Sequence, residues 1–291
     1  MTLFWLTLGF GVVTGAVLSL AAVGLSLQFG VTNFVNFAYG AYLAFGMFFT
    51  YTGQVGLHLP LWLAVIFGVL ATGVTSVVVD ALILEPFVRR GTSGFFLLII
   101  TFGLSLVLLN LIQAIWGVGF DQFKISASNP VRLGPFSFTP AQLAIVGIAA
   151  ATLVAVHLLL TRTTLGKSMR AMSDNAPLAR ATGIDTTRVT RWTWFLSGCL
   201  AGLGGVTLAF NTVEFQAFTG NTFLFVIFAA VILGGIGQIY GAMLGAVIIG
   251  LVVNFAGLVI SSAYDLDAAF AVLVLVLLLR PQGIIPTLGK A

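Results

Sequence analysis

TRTTLGKSMRAMSDNAPLARATGIDTTRVTR, residues 161–191, is a polar island in an otherwise oily chain. Arg162, Lys167, Arg170, Arg180, Arg188 and Arg191 stand in it, half of the twelve lysines and arginines of the protein. On each side lies an apolar stretch long enough to cross a bilayer. A cationic loop between two membrane spans marks the cytoplasmic face. This one is also long enough to offer a surface to a soluble partner.

Working outward, the flanks dictate the class. Charged residues are 7% of the 291 and hydrophobic ones 59%, whereas soluble domains carry about a quarter charged residues. A soluble domain cannot hide that much apolar surface, so lipid must be part of the solvent. The sequence predicts an all-α polytopic helical bundle in a single domain over 1–291. The net charge of +4 does not point to nucleic acid, because the basic residues gather in loops on one side, as membrane topology alone requires. Cys199 is the sole cysteine, which excludes an intrachain disulfide and reads as a small packing residue. The opening MTLFWLTLGFGVV lacks the basic flank of a cleaved signal peptide and reads as leading into the first span.

A helix needs about 20 apolar residues to cross the hydrocarbon core. Spans are expected at about 5–28, 34–52, 61–84, 95–116, 140–161, 192–211, 222–236, 239–260 and 266–280. The seventh and ninth are short enough to be broken or re-entrant. Arg89 and Arg90, the 162–191 loop, and the tail with Arg280 and Lys290 all belong inside. The 53–60 and 261–265 loops carry little positive charge, and the 117–139 loop offsets Lys124 and Arg132 with Asp121. Nine spans with the N-terminus outside satisfy this pattern; eight, with one of the first two segments fused or re-entrant, is the alternative.

Glycine is abundant, with 34 residues. Gly198 and Gly202, and Gly237, Gly241 and Gly245, follow the four-residue spacing that lets helices approach closely in lipid. Gly204-Gly205 and Gly234-Gly235-Ile236-Gly237 are denser than packing requires and suggest hinges. No catalytic or cofactor-binding pattern is visible. His58 and His157 lack ligand-spaced companions. Gly166-Lys167-Ser168 lacks the upstream glycine of a phosphate loop, since position 161 is Thr. Asn129-Pro130-Val131 is one imperfect echo of a water-channel box without a partner.

Polar residues at membrane depth are costly and usually functional. Gln28, Thr32, Asn33, Asn36 and Tyr39 lie near the first two spans, Asn110 and Gln113 on the fourth. Asn211, Glu214, Gln216, Asn221 and Thr222 gather at the outer junction of the sixth and seventh. Asp80 and Glu85 lie beside Arg89 and Arg90 and read as a structural ion pair at a helix end. An ion-coupled carrier would need a relay of buried carboxylates, for which only Asp80 and Glu214 are available.

LSLAAVGLSLQFGVTNFVNFAYGAYLAFGMF, with its Asn36-Phe37-Ala38-Tyr39-Gly40 turn, resembles the opening of the branched-chain amino acid (Liv-type) ABC transporter permeases, the shorter of the two membrane subunits. LEPFVRRG with LLIITFGLSLVLLNL, the 165–209 stretch, VILGGIGQIYGAMLGAVIIGLV and the closing LLLRPQGI resemble the family in the same order over nearly the whole chain. The resemblance implies a permease of the bacterial cytoplasmic (inner) membrane. Its partners would be two ABC ATPase subunits, a second permease subunit in a heterodimer, and a periplasmic substrate-binding protein. Urea, short-chain amide and sugar permeases share the scaffold and remain alternatives. It also implies a cytoplasmic coupling helix near DNAPLARATGID, carried by Asp174, Asn175, Ala179, Arg180, Gly183 and Ile184. Asp174 or Asn175 suits its cap, Pro177 its first turn and Gly183 its end. The solute path is expected near Asn33, Asn36 and Tyr39, with Asn211 and Glu214 at the outer mouth.

Overall fold

In lipid a chain must satisfy its own backbone, so apolar segments become helices. The computed structural model describes residues 2–124, 130–133, 136–259, 264–280 and 283–285; Asn129 and Lys290 lie outside the described residues. Its helices are α1 (Thr2–Thr32), α2 (Tyr39–Tyr51, prolonged by a π-turn to Gly56), α3 (Leu61–Val79, prolonged by a π-turn over Asp80–Leu84), α4 (Glu85–Arg89), α5 (Gly94–Trp116) and α6 (Pro140–Arg162). There follow α7 (Thr164–Ala181), α8 (Thr186–Thr212), α9 (Thr219–Gly234), α10 (Ile239–Val259) and α11 (Asp265–Leu279). With α3 and α4 counted as one rod and polar α7 set aside, nine apolar helices stand among the described residues. Six are long and apolar enough to cross a membrane alone. Two short antiparallel pairings lie away from α7: β1 (Asp121–Gln122) with β4 (Glu214–Phe215), and β2 (Val131–Leu133) with β3 (Phe136–Phe138).

Two helices begin at depth. The expected 34–52 span starts only at Tyr39, because Asn33 takes a left-handed backbone (φ 57°) that stops α1. At about 1.5 Å per residue, α2's thirteen residues and α9's sixteen fall short of a roughly 30 Å core. α5 shows where they start. Phe37 N–H donates to the Thr101 hydroxyl at 3.3 Å, and Asn221 Nδ2 donates to the Ser105 hydroxyl at 3.2 Å. Ser105 is the midpoint of α5, so Asn221 lies at mid-depth and not at the outer junction where the sequence reading put it.

The two breaks are copies of one design. Val213 (φ 70°) ends α8 as Asn33 ends α1, and an interval of 180 residues separates them. The same interval separates Thr32 from Thr212, Asn36 from Gln216, and Gly40 from Gly220. Because α1 and α8 pack antiparallel, with Gly24 beside Ser197 and Leu200 and Ala21 beside Gly204, the repeat is inverted. Its two short helices abut at their first turns, where a Cβ on Gly220 would collide with the Gly40 carbonyl.

Glycine sets the packing distance elsewhere too. A Cβ on Gly46 would strike the backbone of Gly202 on α8, and one on Gly205 the backbone of Leu43 on α2. Helix α8 runs unbroken through Gly204-Gly205. That pair is a close crossing and not the hinge its density suggested. Gly234-Gly235-Ile236-Gly237 does turn: Gly235 and Gly237 have φ of 110° and 80° between α9 and α10.

Overpacking a tight crossing costs typically 1–3 kcal/mol. Gly46→Leu is therefore expected to lower the thermal midpoint of the purified protein in detergent, or to abolish its monodisperse peak. Gly147→Leu, at a position with open space around it, should match wild type. Equal stability of both variants would refute the close α2–α8 crossing.

Candidate functional site

The cationic island folds into α7 and the start of α8. Thr163 caps α7, its hydroxyl accepting from Gly166 N–H at 3.1 Å. The helix kinks at Asn175 (φ −157°, ψ 94°), which ends one segment and caps the next: its Oδ1 accepts from Leu178 N–H at 3.0 Å. Pro177 sits in the first turn of the second segment, where a missing N–H costs nothing. Gly183, at φ 88°, closes it. Gly183 N–H donates to Arg180 O at 3.1 Å and Ile184 N–H to Ala179 O at 3.1 Å. This is the paired 6→1 and 5→2 bonding of a Schellman ending.

Of the two capping residues considered, Asn175 serves and Asp174 does not; it is the last residue before the kink and is exposed. The segment that the sequence implied is thus present, two turns long, but it continues a preceding helix from Thr164. Ala179 faces inward with Leu27, Leu160, Met169, Met172 and Val189, a small apolar cluster that anchors α7 to α1, α6 and α8. Leu178, 60% exposed, and exposed Pro177, Arg180 and Gly183 face away.

Asn33, Asn36 and Tyr39 come together in the α1–α2 break. Asn33 is exposed, whereas Asn36 and Tyr39 are wholly buried. Asn36 Oδ1 accepts from Ala38 N–H at 3.0 Å, and the Tyr39 hydroxyl donates to Ala21 O at 2.9 Å. Asn36 thereby satisfies backbone that the break releases, whereas Tyr39 ties the start of α2 to the middle of α1. Asn211 and Glu214 lie at the equivalent place of the second repeat, apart from the first group. Glu214 is exposed in the β1–β4 pairing, opposite Gln122.

Sequence reasoning missed a cavity between the end of α1 and the cationic island. It holds about 730 Å³ and lies between the end of α1, the π-turn of α3, α7 and α8. Asp80, Glu85, Arg180, Arg191, Phe34 and Trp194 line it. Glu85 forms the expected ion pair with Arg89 and a second contact with Arg191 at 3.6 Å. Asp80 is not part of an interfacial pair: it is 4% exposed. The π-turn that carries it, of a kind frequent at functional sites, has no simple sequence signal. Trp194 stands three residues after the island, inside an apolar span where an aromatic carries no functional signal of its own.

Nine apolar helices, two of them half-length, with a short capped helix on the cationic end, define a membrane transport subunit. The chain belongs to the branched-chain amino acid transport system permease component family, whose model matches residues 7–279. It is 32% identical to a probable branched-chain amino acid transport permease protein, LivH, of Methanocaldococcus jannaschii, over 92% of this chain and 88% of that one. It is 27% identical to the high-affinity branched-chain amino acid transport system permease protein BraD of Pseudomonas aeruginosa, over 94% and 93%. Among solved structures, PsaBC from Streptococcus pneumoniae in complex with Fab shares the fold, with a TM-score of 0.52 at 14% identity over 94% and 91% of the chains. The chain is a multi-pass protein of the cytoplasmic membrane, and the urea, amide, sugar and ion-coupled alternatives are not favoured by these matches.

Removing an N-cap costs about 1 kcal/mol. Asn175→Ala should accordingly speed amide exchange over residues 176–182 by about fivefold, with α10 unchanged. Unaltered exchange there would show that the cap does not hold the segment.

Proposed function

We propose that this chain is a permease subunit of an ATP-binding cassette importer for branched-chain amino acids. It would work with two separate ATPase subunits, a second permease subunit and a substrate-binding protein on the outer side. The single observation that carries the proposal is the capped two-turn segment from Asn175 to Gly183 on the cationic end. A helix that short is unstable alone. Here it is capped at both ends and anchored by Ala179, and it turns Leu178, Arg180 and Gly183 outward. Those features suit a helix that receives force from a soluble partner and passes it to α1 and α8. The solute class follows that of the branched-chain amino acid permeases that match along nearly the whole chain.

The α1–α2 break, with Asn33, Asn36 and Tyr39, is the proposed moving element of the path, and Asn211 and Glu214 belong to its outer mouth. Two half-helices meeting at mid-depth give a joint that can shift without unfolding a full span. Broken backbone at that depth is tolerated where it is buried in protein or borders a cavity. Selectivity would rest largely with the binding protein, since passage requires binding weak enough for the solute to leave.

Reconstitution of the complete set of subunits in liposomes tests this. ATP inside and binding protein outside should drive accumulation of leucine, isoleucine and valine, and the permease alone should hydrolyse no ATP. Gly183→Pro removes the left-handed turn and its N–H, and Arg180→Glu reverses charge where a mismatch can cost several kcal/mol. Both should lose at least about tenfold in ATPase recovery by pull-down, with normal membrane insertion. Wild-type recovery and uptake in both variants would remove the coupling role from this segment.

A further inference from the structure

The 730 Å³ cavity ends on an unusual floor. Asp80, 4% exposed, lines it, and its carboxylate has neither hydrogen-bond nor ion-pair partner among the described residues. Trp194, 1% exposed, also borders it, but its indole N–H, which has no partner, is covered on all sides and does not open on the cavity. Phe34 packs on Trp194 at 6.4 Å between ring centroids, and Tyr42 stands edge-on to it at 6.5 Å. Behind them the Asn36 amide faces the Tyr42 hydroxyl without ordinary hydrogen-bond geometry. An unpaired buried carboxylate and an orphaned buried donor are each expensive. On the wall of the opening only the carboxylate is within reach, and Arg191, which attracts it, makes its own contact with Glu85, so the site has room for a hydrogen-bonding cation.

We infer that this cavity receives the zwitterionic head of an amino acid on the cytoplasmic side of the path. The ammonium group sits on Asp80 beside Phe34 and Trp194, and the carboxylate turns toward Arg191. Aromatic faces attract an ammonium group, and a guanidinium suits a carboxylate. A bare divalent cation suits the site less, because it would need six or more oxygens and no group of three metal-binding side chains occurs among the described residues. The aromatic floor separates this site from Asn36 and Tyr39, so Trp194 is the side chain that must move for solute to pass. The cavity wall also includes Arg180 and Ile184 of the short capped segment, so motion of that segment would reshape the site directly. The inference rests on the amino-acid reading above and adds to it a residue, a charge and a direction.

The test is ligand protection of a cysteine placed in the wall. Thr190→Cys in a Cys199→Ala background is purified with its partner subunits, kept nucleotide-free in lipid nanodiscs, and labelled with a water-soluble maleimide. L-Leucine and 3-methylbutylamine at tens of millimolar are expected to slow labelling about fivefold, because each brings an ammonium group to Asp80. 4-Methylpentanoate, which lacks that group, should not. Asp80→Asn should abolish protection by both amines, and Asp80→Glu, which keeps the charge, should retain it and control for folding. Equal protection by the acid, protection that survives Asp80→Asn, or no protection by any compound would overturn the site. Failure of wild-type leucine uptake in liposomes is a separate readout: it would count against the amino-acid reading, whereas amine protection is scored without transport.

Discussion

Backbone polarity in lipid is the constraint on which the rest of this structure depends. An N–H or C=O left bare in the hydrocarbon costs several kcal/mol, yet two half-length helices, α2 and α9, begin at mid-depth. The breaks survive because other groups meet their needs. Thr101 takes the Phe37 N–H, Asn36 the Ala38 N–H and Thr219 the Gln216 N–H, while Ser105 holds Asn221 beside them. Helix α5 therefore works as a post, with two hydroxyls a turn apart that fix the heights of the two half-helices.

Close packing follows from the same constraint. Lipid gives helices no hydrophobic reason to associate, so small residues and interhelical hydrogen bonds must do it. Gly46 meets Gly202, Gly40 meets Gly220, and Ser76 donates to Trp194 O at 2.7 Å. Ser197 donates to Gly24 O at 2.8 Å in the same core. These contacts pack α1, α2, α3 and α8 together. The repeat has its second half in α8 to α11, and the two halves share their break chemistry, Asn36 with its amide and Gln216 with Thr219.

Helix α7 and the cavity connect this block to the cationic surface. The short capped segment is exposed at Leu178 and lines the cavity through Ala176, Arg180 and Ile184, beside Asp80 and Trp194. That geometry unites two features which, taken singly, would be a solvated loop and a buried carboxylate.

Hydropathy alone determined the helical membrane class and the nine apolar segments, because only helices satisfy the backbone in lipid. Charge distribution likewise marked the cationic end, and Asn175, Pro177 and Gly183 spelled out a short helix through local capping rules. What stayed illegible was everything that depends on a neighbour far away in the chain. The late start of α2 needs Thr101, and the depth of Asn221 needs Ser105. The unbroken run of α8 through Gly204-Gly205 needs Ala21 and Leu43 pressed against it. Asp80 looked like one member of an ion pair in the sequence, since Glu85 and Arg89 stand close by in the chain. Only the packing of α3 against α8 buried it, beside a tryptophan more than a hundred residues away, because burial is a property of the assembled bundle and not of any one segment.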